Sequence, residues 1–157
     1  MIDLRMQQKI QHRHDRENHF DILCLPRTDR LKHYGLHFAK YAGRLARGAR
    51  ERKSRDETFV DAVLVCLSAA NTLNQALEFR EEDRSMNDLN FTDAAGRFAD
   101  ACEKIDHLEN FLDIAYEANA DIARWLLISC KNHQIDLGSR LTDRRDELSK
   151  RAVYSGE

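Results

Sequence analysis

Leu31, Tyr34, Phe38, Tyr41 and Leu45 recur at alternating spacings of three and four. One apolar stripe of this kind predicts a helix after Pro26, with Thr28 as its N-cap. Gly48 and the charged run ARERKS close it. Ser54 and Glu57 then form a capping box, because a Ser hydroxyl and a Glu carboxylate three residues apart satisfy each other's free backbone N–H groups. The helix it opens, over about residues 55 to 79, contains FVDAVLVCLSAA, apolar on nearly every side and therefore central in its fold. One acid, Asp61, interrupts that run. The polar stretch EFREEDRSMNDLN reads as a linker. Beyond it, Thr92 is placed to cap a helix carrying Phe98, Ala101, Cys102, Ile105 and Leu108, with a break near Asn110. Another apolar helix runs from about Phe111 through Asp121, Trp125 and Leu126 to Cys130. HQIDLGS turns the chain into a last helix with a thin stripe of Leu137, Leu141, Leu148 and Ala152. In residues 1 to 20 only Ile2, Leu4, Met6 and Ile10 are clear apolar anchors, which predicts an arm or a weakly amphipathic helix that docks on a partner chain.

Composition agrees with helix throughout. Among 157 residues there are six glycines and one proline, and Ala, Leu, Arg, Asp and Glu are plentiful. The expected fold is an all-α bundle of four to six helices, with an arm over residues 1–26 and a single domain over 27–157. No apolar run approaches the roughly 20 residues of a membrane span, and the polar N-terminus lacks a signal-peptide core. Cys24, Cys66, Cys102 and Cys130 form no C-x-x-C pair and read as small hydrophobes in a reducing compartment. The expectation is a cytoplasmic protein without membrane contact.

Net charge changes this picture more than composition does. Residues 1 to 54 hold 13 Lys and Arg against 6 Asp and Glu, a balance of +7 with five histidines besides; the remainder holds 12 against 21, a balance of −9. Such polarity either steers an anion such as a nucleotide or nucleic acid to the first third, or lets two solvated faces attract each other across a homodimer. The apolar second helix, which needs extensive cover, also points to a homodimer.

Sliding the chain on itself by 60 residues pairs Phe38 with Phe98, Ala39 with Ala99, Leu45 with Ile105, Asp61 with Asp121 and Leu67 with Leu127. An internal duplication follows, with pseudo-repeats over about 28–80 and 91–157. HFAKYAGRL carries His37, Lys40 and Arg44 where RFADACEKI carries Asp100 and Glu103. One helix thus occurs twice, once with a basic flank and once with an acidic one.

The acids are the residues best suited to chemistry. A carboxylate within an apolar helix is costly unless paired, hydrogen-bonded or metal-bound. Asp61 follows Glu57 by four residues and Asp121 follows Glu117 by four, pairs that repel unless a cation sits between them. The other reading is that both glutamates serve first helical turns and both aspartates meet basic neighbours. Asp100 and Glu103 share a face and add oxygen donors, so that four carboxylates on adjacent helices suit Mg²⁺ or Mn²⁺ holding a triphosphate. His33 and His37 have the spacing of a two-histidine metal face but lack a third ligand.

At these residues, and in IDLGSRLTDRRDELSKRAVY, the chain resembles the C-terminal part of the MazG-like, all-α nucleoside triphosphate pyrophosphohydrolases, a superfamily that includes helical dUTPases with tandem halves. The likeness is closest over residues 97 to 154, especially DIARWLLISCKNHQIDL, and extends to 36 to 77. It implies a bundle in which E-x-x-E and E-x-x-D motifs hold Mg²⁺ while water cleaves a nucleotide between its α and β phosphates. Asp121 and Asp61 match the aspartate of the second motif. Its glutamate is replaced by Ala118 and Thr58, and Glu117 and Glu57 lie one residue earlier. Asp100 and Glu103 approximate the first motif, whereas the same stretch of the first half carries Lys40, Tyr41 and Arg44.

The resulting expectation is Mg²⁺-dependent cleavage of an NTP or dNTP to monophosphate and pyrophosphate. Asp121, Glu117, Asp100, Glu103, Asp61 and Glu57 would serve as metal ligands, and Lys40, Arg44 and His37 as phosphate contacts. The alternative is a non-catalytic module of the same fold that binds a nucleotide, nucleic acid or protein through its basic third. A third is a structural homo-oligomer in which Asp61 and Asp121 pair with arginines.

Overall fold

A computed structural model describes residues 2–79 and 86–151. Among them are seven helices and no strand: α1 (Leu4–Asn18), α2 (Phe20–Leu23), α3 (Arg27–Arg47), α4 (Arg55–Leu73), α5 (Asp88–Asp106), α6 (Leu112–Asn132) and α7 (Leu137–Ser149). Six span 13 residues or more and build the expected all-α bundle; α2 is a single turn. Residues 80–85 of the expected linker, and Ala152 of the last stripe, lie outside the described residues.

Helix ends follow side-chain chemistry. Ser54 and Glu57 form the expected capping box at α4, and the left-handed Asn74 (φ 56°) ends that helix. Thr28 and Thr92 are not caps. Pro26 precedes α3, its missing N–H costing nothing there, and Asn87 with Asn90 forms a reciprocal box at α5, so both threonines fall inside their helices. Arg27 donates to the carbonyls of Thr72 (2.9 Å) and Leu73 (3.2 Å), tying the start of α3 to the end of α4.

Helices α3, α4, α6 and α5 pack as a four-membered ring of antiparallel neighbours. Fourteen of the nineteen residues of α4 are buried, so it occupies the centre that its sequence predicts. Its cover comes from the same chain: α3 and α6 within the ring, α1 and α7 outside it. The apolar seams are aromatic. Phe38 meets Phe98 edge-on at 5.0 Å between ring centroids, and Trp125 packs between Phe59 (5.3 Å) and Phe91 (5.0 Å). Gly35 allows α3 this approach to α5, since a Cβ there would lie 2.9 Å from Cys102 Sγ.

One pair related by the 60-residue shift, Phe38 and Phe98, meets edge-on across α3 and α5. Across α4 and α6, Cys66 Sγ donates to Asn119 Oδ1 at 3.2 Å, and Val63, Leu67, Ala123, Leu126 and Leu127 line one small cavity together with Leu4 and Leu77. Helices α1 and α7 pack on α4 and with α3 enclose one cavity, and a second, of about 580 Å³, lies between the end of α6 and the start of α7.

The cysteines are free; Cys66 and Cys130 are buried, Cys102 is half-buried and Cys24 exposed. Among the described residues no helix is long and apolar enough to cross a membrane.

Candidate functional site

Helix α4 is apolar where it faces the ring but carries Asp61 two turns from its start, 8% exposed. Three cations from three places in the chain close on this carboxylate. Lys53, in the loop before α4, donates to Oδ2 at 2.6 Å; Arg144, from α7, donates Nε to Oδ1 at 2.7 Å; and Arg44, from the end of α3, reaches Oδ2 at 3.4 Å. Burial works to raise the Asp61 pKa, but the bonds from Lys53 and Arg144 outweigh it and hold the group below the usual carboxylate range. Arg144 also donates Nη1 to Glu147 at 2.7 Å, so two negative charges stand among three positive ones and the cluster keeps a net positive charge.

One turn earlier on α3, Lys40 adds a fourth cation. Its Nζ donates to His37 Nδ1 at 2.9 Å and lies 4.9 Å from the centre of the Tyr41 ring, which Arg44 also approaches at 5.5 Å. An ammonium can only donate, so His37 Nδ1 is an acceptor and the ring is neutral. Burial, then the charges of Lys40 and His33, bring the His37 pKa down to about 4. The His33 ring stands edge-on to His37 at 4.7 Å, and burial lowers its pKa as well.

These groups line one end of a cavity of about 340 Å³ bounded by α1, α2, α3, α4 and α7. Ile22, Leu23, Leu64, Val65 and Leu148 form its apolar middle. Its far end is polar: Asp15 of α1 accepts from Gln11 Nε2 (2.8 Å) and from Ser68 Oγ (2.6 Å), with Tyr34 beside them. Burial pushes the Asp15 carboxyl upward against those two bonds.

Of the residues singled out in the sequence, His37, Lys40 and Arg44 meet in this cavity. Asp61 joins them as an acceptor of cations. Asp121 does the same on the other half, taking Arg97 Nη2 at 2.7 Å and Arg124 Nη1 at 2.7 Å, so its oxygens are committed to guanidinium groups. Glu57 is exposed and accepts the Ser54 N–H at 2.8 Å as part of the α4 cap. Glu103 is exposed and faces His107 at 3.1 Å, while Asp100 and Glu117 are exposed on α5 and α6. Among the described residues no group of three or more His, Cys, Asp or Glu side chains is arranged to hold a metal ion. This donor set does not fit the Mg²⁺ or Mn²⁺ expected from the acid spacing, because the buried carboxylates spend their lone pairs on arginine and lysine.

Sequence reasoning missed Lys53, Arg144 and the whole Asp15 end. The one available signal for the cations was Asp61 itself, since a lone acid in an apolar run demands a partner. Comparisons of the chain with protein-family models, with curated proteins and with solved structures found no match.

Proposed function

We propose that this chain is a helical module that binds a nucleotide by its phosphates, without metal, in the cavity between α3, α4 and α7. The observation that carries the reading is the convergence of Arg44, Lys53 and Arg144 on a single carboxylate, with Lys40 one turn away. Arginine and lysine neutralise phosphate directly, and a guanidinium fork offers paired donors to two phosphate oxygens. Asp61 holds the cations in place before a ligand arrives, which lowers the ordering cost of binding. Low-dielectric walls such as Leu64 and Leu148 strengthen each contact.

Magnesium-dependent pyrophosphohydrolysis ranks second, since it requires carboxylate oxygens that Asp61 and Asp121 give to cations. One experiment addresses both. Calorimetric titration with pyrophosphate and nucleotides, at low and high salt, is expected to show binding that weakens steeply as salt rises. Lys40→Ala and Arg44→Ala should each weaken it roughly tenfold, a charged hydrogen bond contributing about 1.5–3 kcal/mol. Absence of binding by folded protein would remove the proposal. Pyrophosphate release with Mg²⁺ that Asp121→Asn abolishes would favour the enzyme instead.

A further inference from the structure

The outward face of α1 carries charge that the fold leaves unanswered. Arg5, Lys9, His12, Arg13 and Arg16 are all exposed, and at 3.6 residues per turn they fall within one arc of about 100°. The opposite face is spent on α4 and α7, where Leu4, Gln8, Gln11 and Asp15 are buried. Arg5 holds Glu78 at 2.9 Å, but Lys9, Arg13 and Arg16 enter no ion pair or side-chain hydrogen bond among the described residues. Glu17, the one exposed acid of the helix, lies beyond the edge of the stripe. On α5 and α6, by contrast, Arg97, Lys104 and Arg124 each hold a carboxylate.

Such a stripe costs the isolated protein stability. Like charges four residues apart repel, as Arg5 does Lys9 and Lys9 does Arg13, and Arg5 stands in the first turn, where the helix dipole disfavours a cation. Phosphates along the face would relieve that repulsion, and the counterions they shed drive association. From Arg5 to Arg16 the stripe runs about 16 Å at 1.5 Å per residue, the rise of roughly five base pairs at 3.4 Å each. A bilayer fits worse: an amphipathic helix binds membranes by sinking an apolar face, and α1 buries its other face in its own chain, leaving Met6 and Ile10 alone outside. A single strand fits worse as well, since the stripe holds no Phe, Tyr or Trp for unpaired bases to stack on. Between duplexes, B-form DNA offers a major groove about 12 Å wide that admits a helix, whereas the A-form groove of RNA is deep and narrow.

The geometry points to α1 as a docking surface for double-stranded DNA, held through backbone phosphates. Lys9, Arg13 and Arg16 supply the contacts, flanked by Arg5 and His12. Phosphate contacts fix position and supply affinity but carry no sequence information, so the surface does not discriminate among duplexes. None of these five side chains lines the cavity that holds Lys40, Arg44, Lys53 and Arg144. The DNA surface therefore stands or falls apart from the nucleotide reading above.

The test is fluorescence anisotropy of a short labelled DNA duplex titrated with the full chain at several salt concentrations. Three phosphate contacts give a slope of about −2.7 in log affinity against log salt, a loss of roughly fortyfold between about 50 and 200 mM. Arg13→Ala and Arg16→Ala should each reduce the slope by about one, while Lys104→Ala on α5 leaves it unchanged. Changing the duplex sequence should alter nothing. Absence of binding at the lowest salt, or a slope that Arg13→Ala and Arg16→Ala both leave intact, would overturn the proposal. Equal or tighter binding of duplex RNA, of single-stranded DNA or of anionic vesicles would overturn it too. Should either variant not fold by circular dichroism, the salt slope and the comparison of probes on the unaltered chain decide the matter.

Discussion

Asp61 is the residue on which the first half depends. Replacing it with Asn keeps the shape but leaves Arg44, Lys53 and Arg144 facing one another with only the exposed Glu147, bonded to Arg144, as counter-charge. Removing one partner from a buried ionic cluster costs about 3–5 kcal/mol, and partial exposure of Lys53 puts this case at the lower end. Urea unfolding of Asp61→Asn should show that loss, and added pyrophosphate should recover part of it by replacing the missing charge. The folded pKa of Asp61 is depressed, so its contribution is present above the ordinary carboxylate value near 3.8 and lost as pH falls through the folded one. His37 acts at higher pH. Its folded pKa of about 4 lies below the unfolded 6.5, chiefly through burial, and His14 behaves alike. Between pH 6.5 and 4 the unfolded chain takes up protons that the folded chain refuses, so stability falls as pH drops through that window. With solvent screening the pair contributes on the order of 1 kcal/mol per pH unit. Melting temperatures over this range should decline, and His37→Gln should flatten the decline.

Among the elements, α1 shows most clearly what hydropathy reveals and what it hides. Its buried stripe is Leu4, Gln8, Gln11 and Asp15, at spacings of four, three and four, whereas Met6 and Ile10 are exposed. The periodicity is helical but the residues are polar, so apolar patterning missed the docking face, which rests on α4 of its own chain. Gln8 makes the joint: its Nε2 donates to the Gln75 carbonyl at 2.7 Å, its Oε1 accepts from Leu77 N–H at 3.0 Å, and its own carbonyl accepts from Asn71. Gln8→Ala leaves two buried backbone groups unsatisfied and should cost about 1–3 kcal/mol. Hydrogen exchange in α1 should accelerate while the amides of α6 stay protected; equal loss in both would mean that α1 does not open separately. Local signals elsewhere were legible where a few adjacent residues carry them, as in the Ser54–Glu57 box and the apolar run of α4. The cavity was only half legible. Lys40 and Arg44 share a helix face that sequence spacing exposes, but Arg144 lies 83 residues from Asp61 and no periodicity links them.

At the scale of the molecule, the charge polarity along the chain is largely answered within it. Lys32 pairs with Asp106, Lys53 with Asp61 and Arg5 with Glu78, each joining the basic part to the acidic part. Where α7 closes on α4, Lys40, Arg44, Lys53 and Arg144 gather at one end of the cavity. The two halves also share one core, because α3 packs on α5 and α4 on α6. Neither half can then unfold without exposing the other's seam. Thermal unfolding should be a single transition, identical by Trp125 fluorescence, which reports the packing of α6 on Phe59 and Phe91, and by circular dichroism, which reports all the helices. Phe38 is fully buried in the first half, and Phe38→Ala should destabilise by about 3–5 kcal/mol. Trp125 lies in the other half, so its transition should move with that of the helices. Two separated transitions would show instead that the repeats fold as independent units. A double-mutant cycle with Phe98→Ala sharpens the point. Edge-on aromatic pairs couple by about 0.5–1.5 kcal/mol, and a coupling of that size between α3 and α5 would measure directly how strongly one half supports the other.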